Sequence, residues 1–200
     1  MSMISSGNRY LPNSLTVLRI ILTFVFMTFV FIPGVVPRAL ALFVFTIASL
    51  SDFYDGRLAR KYNIISDFGK LMDPIADKIL VLGAFLAFVQ LQLVSAWMVI
   101  VIILRESFIS GLRLIALKKR KVIAAAEAGK QKTVSQMATI FIVLIILLAK
   151  EILLRRGLWG VLWTKTTFWS INILMTITLL LTIVSAISFI SKNRYLLMTK

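Results

Sequence analysis

Six apolar runs, at 15–32, 39–58, 74–93, 97–116, 134–154 and 168–190, occupy most of this 200-residue chain and limit what it can fold into. Each is close to the ~20 residues an α-helix needs to cross bilayer hydrocarbon. Strands of a membrane barrel would instead alternate in polarity over ~10 residues. Lipid tolerates no unpaired backbone, so runs of this kind are expected to be helices. The expectation is therefore an all-α, polytopic membrane protein with six transmembrane helices, forming a single domain over 1–200. Pro12-Asn13-Ser14 reads as a polar-capped helix start, preceded by a short N-terminal interfacial helix on the membrane surface. With 60% hydrophobic residues and a mean hydropathy of +0.95, the chain has more apolar surface than a soluble domain of its size can cover.

The N-terminal MSMISSGNRYLPNS is short and polar, without the charged-then-apolar order of a secretory signal, so the first run is expected to be retained. There is no internal repeat, no low-complexity stretch and no linker long enough to separate domains. Cysteine and histidine are both absent. That excludes disulfides, thiolate nucleophiles, Cys/His zinc sites and a Ser-His-Asp triad, and leaves oxygen as the only ligand type for a metal. Carboxylates of that kind suit hard cations such as Mg²⁺, Mn²⁺ or Ca²⁺.

Lysine and arginine total 23 against 8 acids, a formal charge of +15. No soluble segment is left over to carry a nucleic-acid readout, so the excess reads as topology signals and contacts to anionic headgroups. Arg9, then Arg57, Arg60, Lys61 and Lys70, then the KKRK run at 118–121 with Lys130 and Lys132, then Lys192, Arg194 and Lys200 fall in alternate gaps and at the ends. These segments and both termini are expected to be cytoplasmic. The opposite side is sparser, with Arg38, Lys150, Arg155, Arg156 and Lys165; Trp159, Trp163 and Trp169 read there as an interfacial belt.

All the aspartates lie between positions 52 and 77, at the seam between the second and third runs. Carboxylates are costly in or beside hydrocarbon, so this gathering marks a functional window. Asp52 and Asp55 are three residues apart, and Asp73 and Asp77 four, so on helices each pair shares a face. Four carboxylates on two helices joined by one short loop form a cup for two divalent cations. Gly56 and Ala59 fall on the Asp52/Asp55 face and remove bulk there, and Arg60 adds a bidentate donor suited to phosphate. Gly69 repeats the small-residue device before Asp73, and Pro74 either opens or bends that helix. Asp67, mid-loop and outside the spacing, reads as an ordinary surface charge.

The window, D-x-x-D-G-x-x-A-R-x8-G-x-x-x-D-x-x-x-D, resembles the signature of the CDP-alcohol phosphatidyltransferases at every fixed position. The resemblance implies a six-helix membrane enzyme whose aspartates hold two divalent cations, Mg²⁺ or Mn²⁺, against the diphosphate of a CDP-linked lipid. Asp52, Asp55 and Asp73 would hold one ion, and Asp52, Asp73 and Asp77 the other. Gly56, Ala59, Arg60 and Gly69 would contact the CDP moiety, with the Ser66 hydroxyl near phosphate. Asp77 is the candidate general base by the same analogy.

PNSLTVLR, Arg105-Glu106 followed by Gly111-Leu112-Arg113, and AAEAGKQKT resemble the branch of that family whose acceptor is sn-glycerol 3-phosphate. The implied partners are CDP-diacylglycerol, that acceptor, membrane lipid and a second copy of the chain in a homodimer. Arg105, Arg113 and Lys130 would bind the acceptor's phosphate. The implied setting is the cell's inner membrane, with the active site facing the cytoplasm.

Other readings compete. Arg105 and Glu106 interrupt an apolar stretch, where ions face a wet cavity or form a network that locks helices. Arg113 and Lys130 also read as plain positive-inside charges. The acceptor could instead be inositol phosphate, or phosphatidylglycerol as in a cardiolipin synthase. A divalent-cation transporter would place its acids near the bilayer midplane on broken, repeated helices, and a membrane scaffold would not need the acid-glycine-arginine spacing.

Overall fold

A computed structural model describes the backbone of residues 11–62, 67–118 and 127–198, and the side chains of residues 17–51, 78–112, 129 and 131–193. The described chain forms six helices and no strand: α1 Leu11–Phe31, α2 Val35–Tyr62, α3 Asp67–Gln90, α4 Ala96–Lys118, α5 Glu127–Arg155 and α6 Val161–Met198. Each contains most of one apolar run. Most of their ends extend past the runs, because the polar residues flanking the runs remain good helix formers, while α1 and α3 stop just short at their C-termini. One expectation is corrected at α3: Asp67 is its first residue rather than a loop position. Of the two readings of Pro74, the helix keeps the one that places it inside rather than at the start. Pro74 thus removes one backbone hydrogen bond mid-helix, a local cause of bending. The interfacial segment expected before Pro12 falls largely on residues 1–10, outside the described residues.

The turns stop the helices by identifiable means. After α3, Gln92 takes a left-handed conformation at φ 56°, and Leu93 N–H donates to the Phe88 carbonyl at 3.0 Å. After α5, Gly157 does the same at φ 66°, with Leu158 N–H reaching the Leu153 carbonyl at 2.9 Å. Both satisfy carbonyls that a helix end leaves without intrahelical partners.

The chain divides into two units. The first contains α1, α2, α3 as far as Ala87 and α5 from Leu144. Here α1 packs along α2, with the Phe26 and Phe45 rings 5.4 Å apart. The α3 helix comes close to α1 at Gly83, where an added Cβ would lie 3.2 Å from Thr23 Cγ2 and 3.5 Å from Met27 Sδ. Arg38, expected as a loop charge, is buried: its guanidinium donates to the Val30 carbonyl near the end of α1 and lies 3.7 Å from Glu151 on α5.

The second unit contains the end of α3, α4, α5 as far as Val143, and α6. The α6 helix buries a mixed face. Thr178, Thr182 and Ser185 are buried along with Ile171, Met175, Leu179 and Phe189, while Ile173, Ile177, Leu180, Val184 and Ile187 are exposed at 48–60%. Thr178 Oγ1 pairs with the hydroxyls of Thr139 at 2.7 Å and Ser135 at 3.1 Å on α5. Two stretches, Gln131–Arg155 and Val161–Asn193, are long and apolar enough to cross a membrane.

Candidate active site

The backbone of α2 carries Asp52, Asp55, Gly56, Ala59 and Arg60, and that of α3 carries Gly69, Asp73 and Asp77. Both aspartate pairs are therefore on continuous helix, where spacings of three and four residues amount to about one turn. Four residues, 63–66, separate the two helices in sequence. The side chains of these eight residues lie outside the described residues, as do those of Arg113 in α4 and Lys130 in α5, and Ser66 lies outside them entirely. Among the described residues no three acidic groups converge to hold a metal.

Arg105 is the one candidate whose side chain is described. It lies on α4 beside Glu106, and its surroundings are polar. Arg105 Nη1 donates to Glu106 Oε1 at 3.2 Å, and Nη2 donates to Ser185 Oγ of α6 at 2.8 Å. Glu106 Oε1 also accepts from Lys132 Nζ of α5. Glu106 and Lys132 are each 7% exposed and Ser185 1%. Gln136, one turn beyond Lys132 on α5, is 2% exposed. This knot of charge joins α4, α5 and α6 within one unit. Sequence reasoning counted Lys132 as a loop charge and passed over Ser185 and Gln136. The available signal for Lys132 was its place in AAEAGKQKT beside Lys130. For Ser185 there was none, since a serine in an apolar run serves equally as interhelical glue.

The model of the CDP-alcohol phosphatidyltransferase family matches residues 9–191. The chain belongs to this family. The match takes in all six helices in whole or in large part, and the acidic window with them. Among curated CDP-alcohol phosphatidyltransferase relatives, the CDP-diacylglycerol–glycerol-3-phosphate 3-phosphatidyltransferase of Bacillus subtilis is 41% identical over 142 residues, covering 65% of this chain and 74% of that protein. A protein of the same name from Rickettsia prowazekii is 35% identical over 138 residues, covering 69% of this chain and 76% of its own. The one from Mycoplasma pneumoniae is 36% identical over 155 residues, with 68% of each chain covered.

Proposed function

We propose that the chain transfers the phosphatidyl group of CDP-diacylglycerol to sn-glycerol 3-phosphate, giving phosphatidylglycerol phosphate and CMP. The observation that carries this reading is the 41% identity to the Bacillus subtilis protein of that activity over 142 residues. The acidic signature, complete at every fixed position, supports it.

Asp52, Asp55, Asp73 and Asp77 form an all-oxygen donor set, which fits two hard divalent cations, Mg²⁺ or Mn²⁺, and no softer metal. Such ions, when bound, supply charge neutralisation on the diphosphate. Asp52, Asp55 and Asp73 would hold one, and Asp52, Asp73 and Asp77 the other. Gly56, Ala59 and Gly69 leave room for the CDP moiety against the helix backbones. Arg60 donates to phosphate oxygens in a bidentate fork, and the Ser66 hydroxyl donates one further hydrogen bond.

Arg105, Arg113 and Lys130 hold the acceptor's phosphate. An acceptor with its own negative charge must approach a diphosphate already rich in it, and cationic side chains offset that repulsion. The Asp77 carboxylate takes the proton from the attacking glycerol hydroxyl. The new bond joins that oxygen to the phosphorus carrying diacylglycerol, and the bond from this phosphorus to the CMP oxygen breaks.

The setting is a multi-pass protein of the cell's inner membrane: six spanning helices in one domain, working as a homodimer with its site on the cytoplasmic side. The apolar row Ile173, Ile177, Leu180, Val184 and Ile187 exposed on α6, with Thr178, Thr182 and Ser185 buried, supports a lipid environment, because water would not favour so much exposed apolar surface. The test is CMP release by purified protein from CDP-diacylglycerol, with glycerol 3-phosphate, inositol phosphate or phosphatidylglycerol offered separately. Turnover with glycerol 3-phosphate alone is expected; turnover with either other acceptor in its place overturns the assignment.

A further inference from the structure

Neighbouring residues on a helix point about 100° apart, so helix geometry does not bring Arg105 and Glu106 together. The contact between Arg105 Nη1 and Glu106 Oε1, at 3.2 Å, is imposed from outside α4. On one side Lys132 of α5 holds the Glu106 oxygen, and on the other Ser185 of α6 accepts from Arg105 Nη2 at 2.8 Å. The side chains of Arg105, Glu106 and Lys132 are 11%, 10% and 8% exposed. A guanidinium presents five donors in one rigid plane, so fixing both terminal nitrogens fixes the direction of the whole fork.

We propose that Glu106 and Ser185 are positioning residues that aim the Arg105 guanidinium, with Lys132 anchoring Glu106 for that task. This rests on the reading above in which Arg105 binds the acceptor's phosphate. A knot that only locked three helices would not need the Arg105–Glu106 contact, because Lys132–Glu106 already joins α4 to α5 and Arg105–Ser185 joins α4 to α6. Orientation matters to a planar donor that meets a phosphate through paired hydrogen bonds. Without the grip, the long arginine side chain recovers its rotamer freedom, which binding must then remove again.

The test is steady-state kinetics on the full-length protein in detergent micelles, varying glycerol 3-phosphate and CDP-diacylglycerol in turn, with thermal stability measured alongside. Glu106→Gln is expected to raise KM for glycerol 3-phosphate about tenfold, the scale of losing a charged hydrogen bond. Ser185→Ala should raise it by a smaller factor, and Glu106→Asp should recover part of the loss. KM for CDP-diacylglycerol should stay close to that of the unaltered protein in each. Arg105→Lys separates the two layers of the reading. If it leaves the acceptor KM unchanged, Arg105 is not a phosphate ligand and both layers fall. If it raises that KM while Glu106→Gln and Ser185→Ala do not, only the positioning role is overturned. Lower stability with both KM values raised equally, or with neither moved, makes the knot structural and also overturns the proposal. Should Glu106→Gln not fold, Ser185→Ala decides by the same split between the two KM values.

Discussion

Aspartate and asparagine differ little in volume, so Asp77→Asn removes a charge and a base while leaving the shape of α3 almost unchanged. If Asp77 takes the glycerol proton, turnover should fall by about 100-fold or more, the range associated with loss of a general base. The check is CMP release by protein that still elutes as a single species; near-normal turnover would exclude Asp77 as base and as essential ligand. At this scale the sequence announced chemistry more clearly than partnership. The acidic pairs stood out because their spacing is local and carboxylates are rare in this chain. Lys132 and Ser185 did not, because their partners come from other helices, 26 and 80 residues away. Arg38 misled for the same reason: it follows a Pro-Gly loop in sequence, yet its partners are Val30 and Glu151.

Helix positions were legible where apolar runs were long, and helix ends were not. The acidic start of α3 read as loop because its first residues carry charge, but lysine and leucine are strong helix formers that keep the turn going as far back as Asp67. The buried Thr178, Thr182 and Ser185 of α6 were equally hard to read, since threonine and serine are only mildly polar and blur the contrast between its sides. Two predictions belong to single elements. At Gly83, where α3 approaches α1, Gly83→Val should destabilise the protein by about 1–3 kcal/mol through overpacking. Gly83→Ala should cost much less, since its Cβ asks Thr23 Cγ2 to yield only a few tenths of an ångström. Thermal unfolding of the two variants in one detergent measures the difference, and equal midpoints would mean that the two helices have room to separate. On α6, Thr178→Val removes the hydroxyl shared by Ser135 and Thr139 while nearly keeping its volume. Interhelical hydrogen bonds in membranes average about 0.6 kcal/mol, so a loss near 1 kcal/mol is expected, and no change would assign the stability of this contact to packing alone.

For the whole molecule, if the four aspartates hold divalent cations as proposed, activity is conditional on those cations. Chelation should abolish CMP release and Mg²⁺ or Mn²⁺ should restore it, whereas turnover that persists in excess chelator would remove the aspartates from that role. Orientation is a separate matter, and the composition offers a direct way to measure it. The chain has no cysteine, so any single introduced thiol is the only one present. Ser95 in the turn before α4, Arg156 after α5 and Lys192 near the end of α6 are all exposed. The positive-inside pattern places Lys192 on the cytoplasmic side and the other two across the membrane. In intact cells, a membrane-impermeant maleimide should label Ser95→Cys and Arg156→Cys but leave Lys192→Cys unmodified until the membrane is opened. The reverse pattern would put the basic segments, and the acidic window with them, on the outer face, where a cytoplasmic nucleotide-linked lipid could not be supplied. Labelling of all three from outside would mean that α6 does not cross the membrane, despite an apolar stretch of 33 residues over Val161–Asn193. Its full 38 residues, about 57 Å of helix, exceed the ~30 Å of hydrocarbon. The surplus at its C-terminal end carries Lys192 and Arg194, whose charges suit anionic headgroups at a membrane surface, and the labelling of Lys192→Cys reports which surface that is.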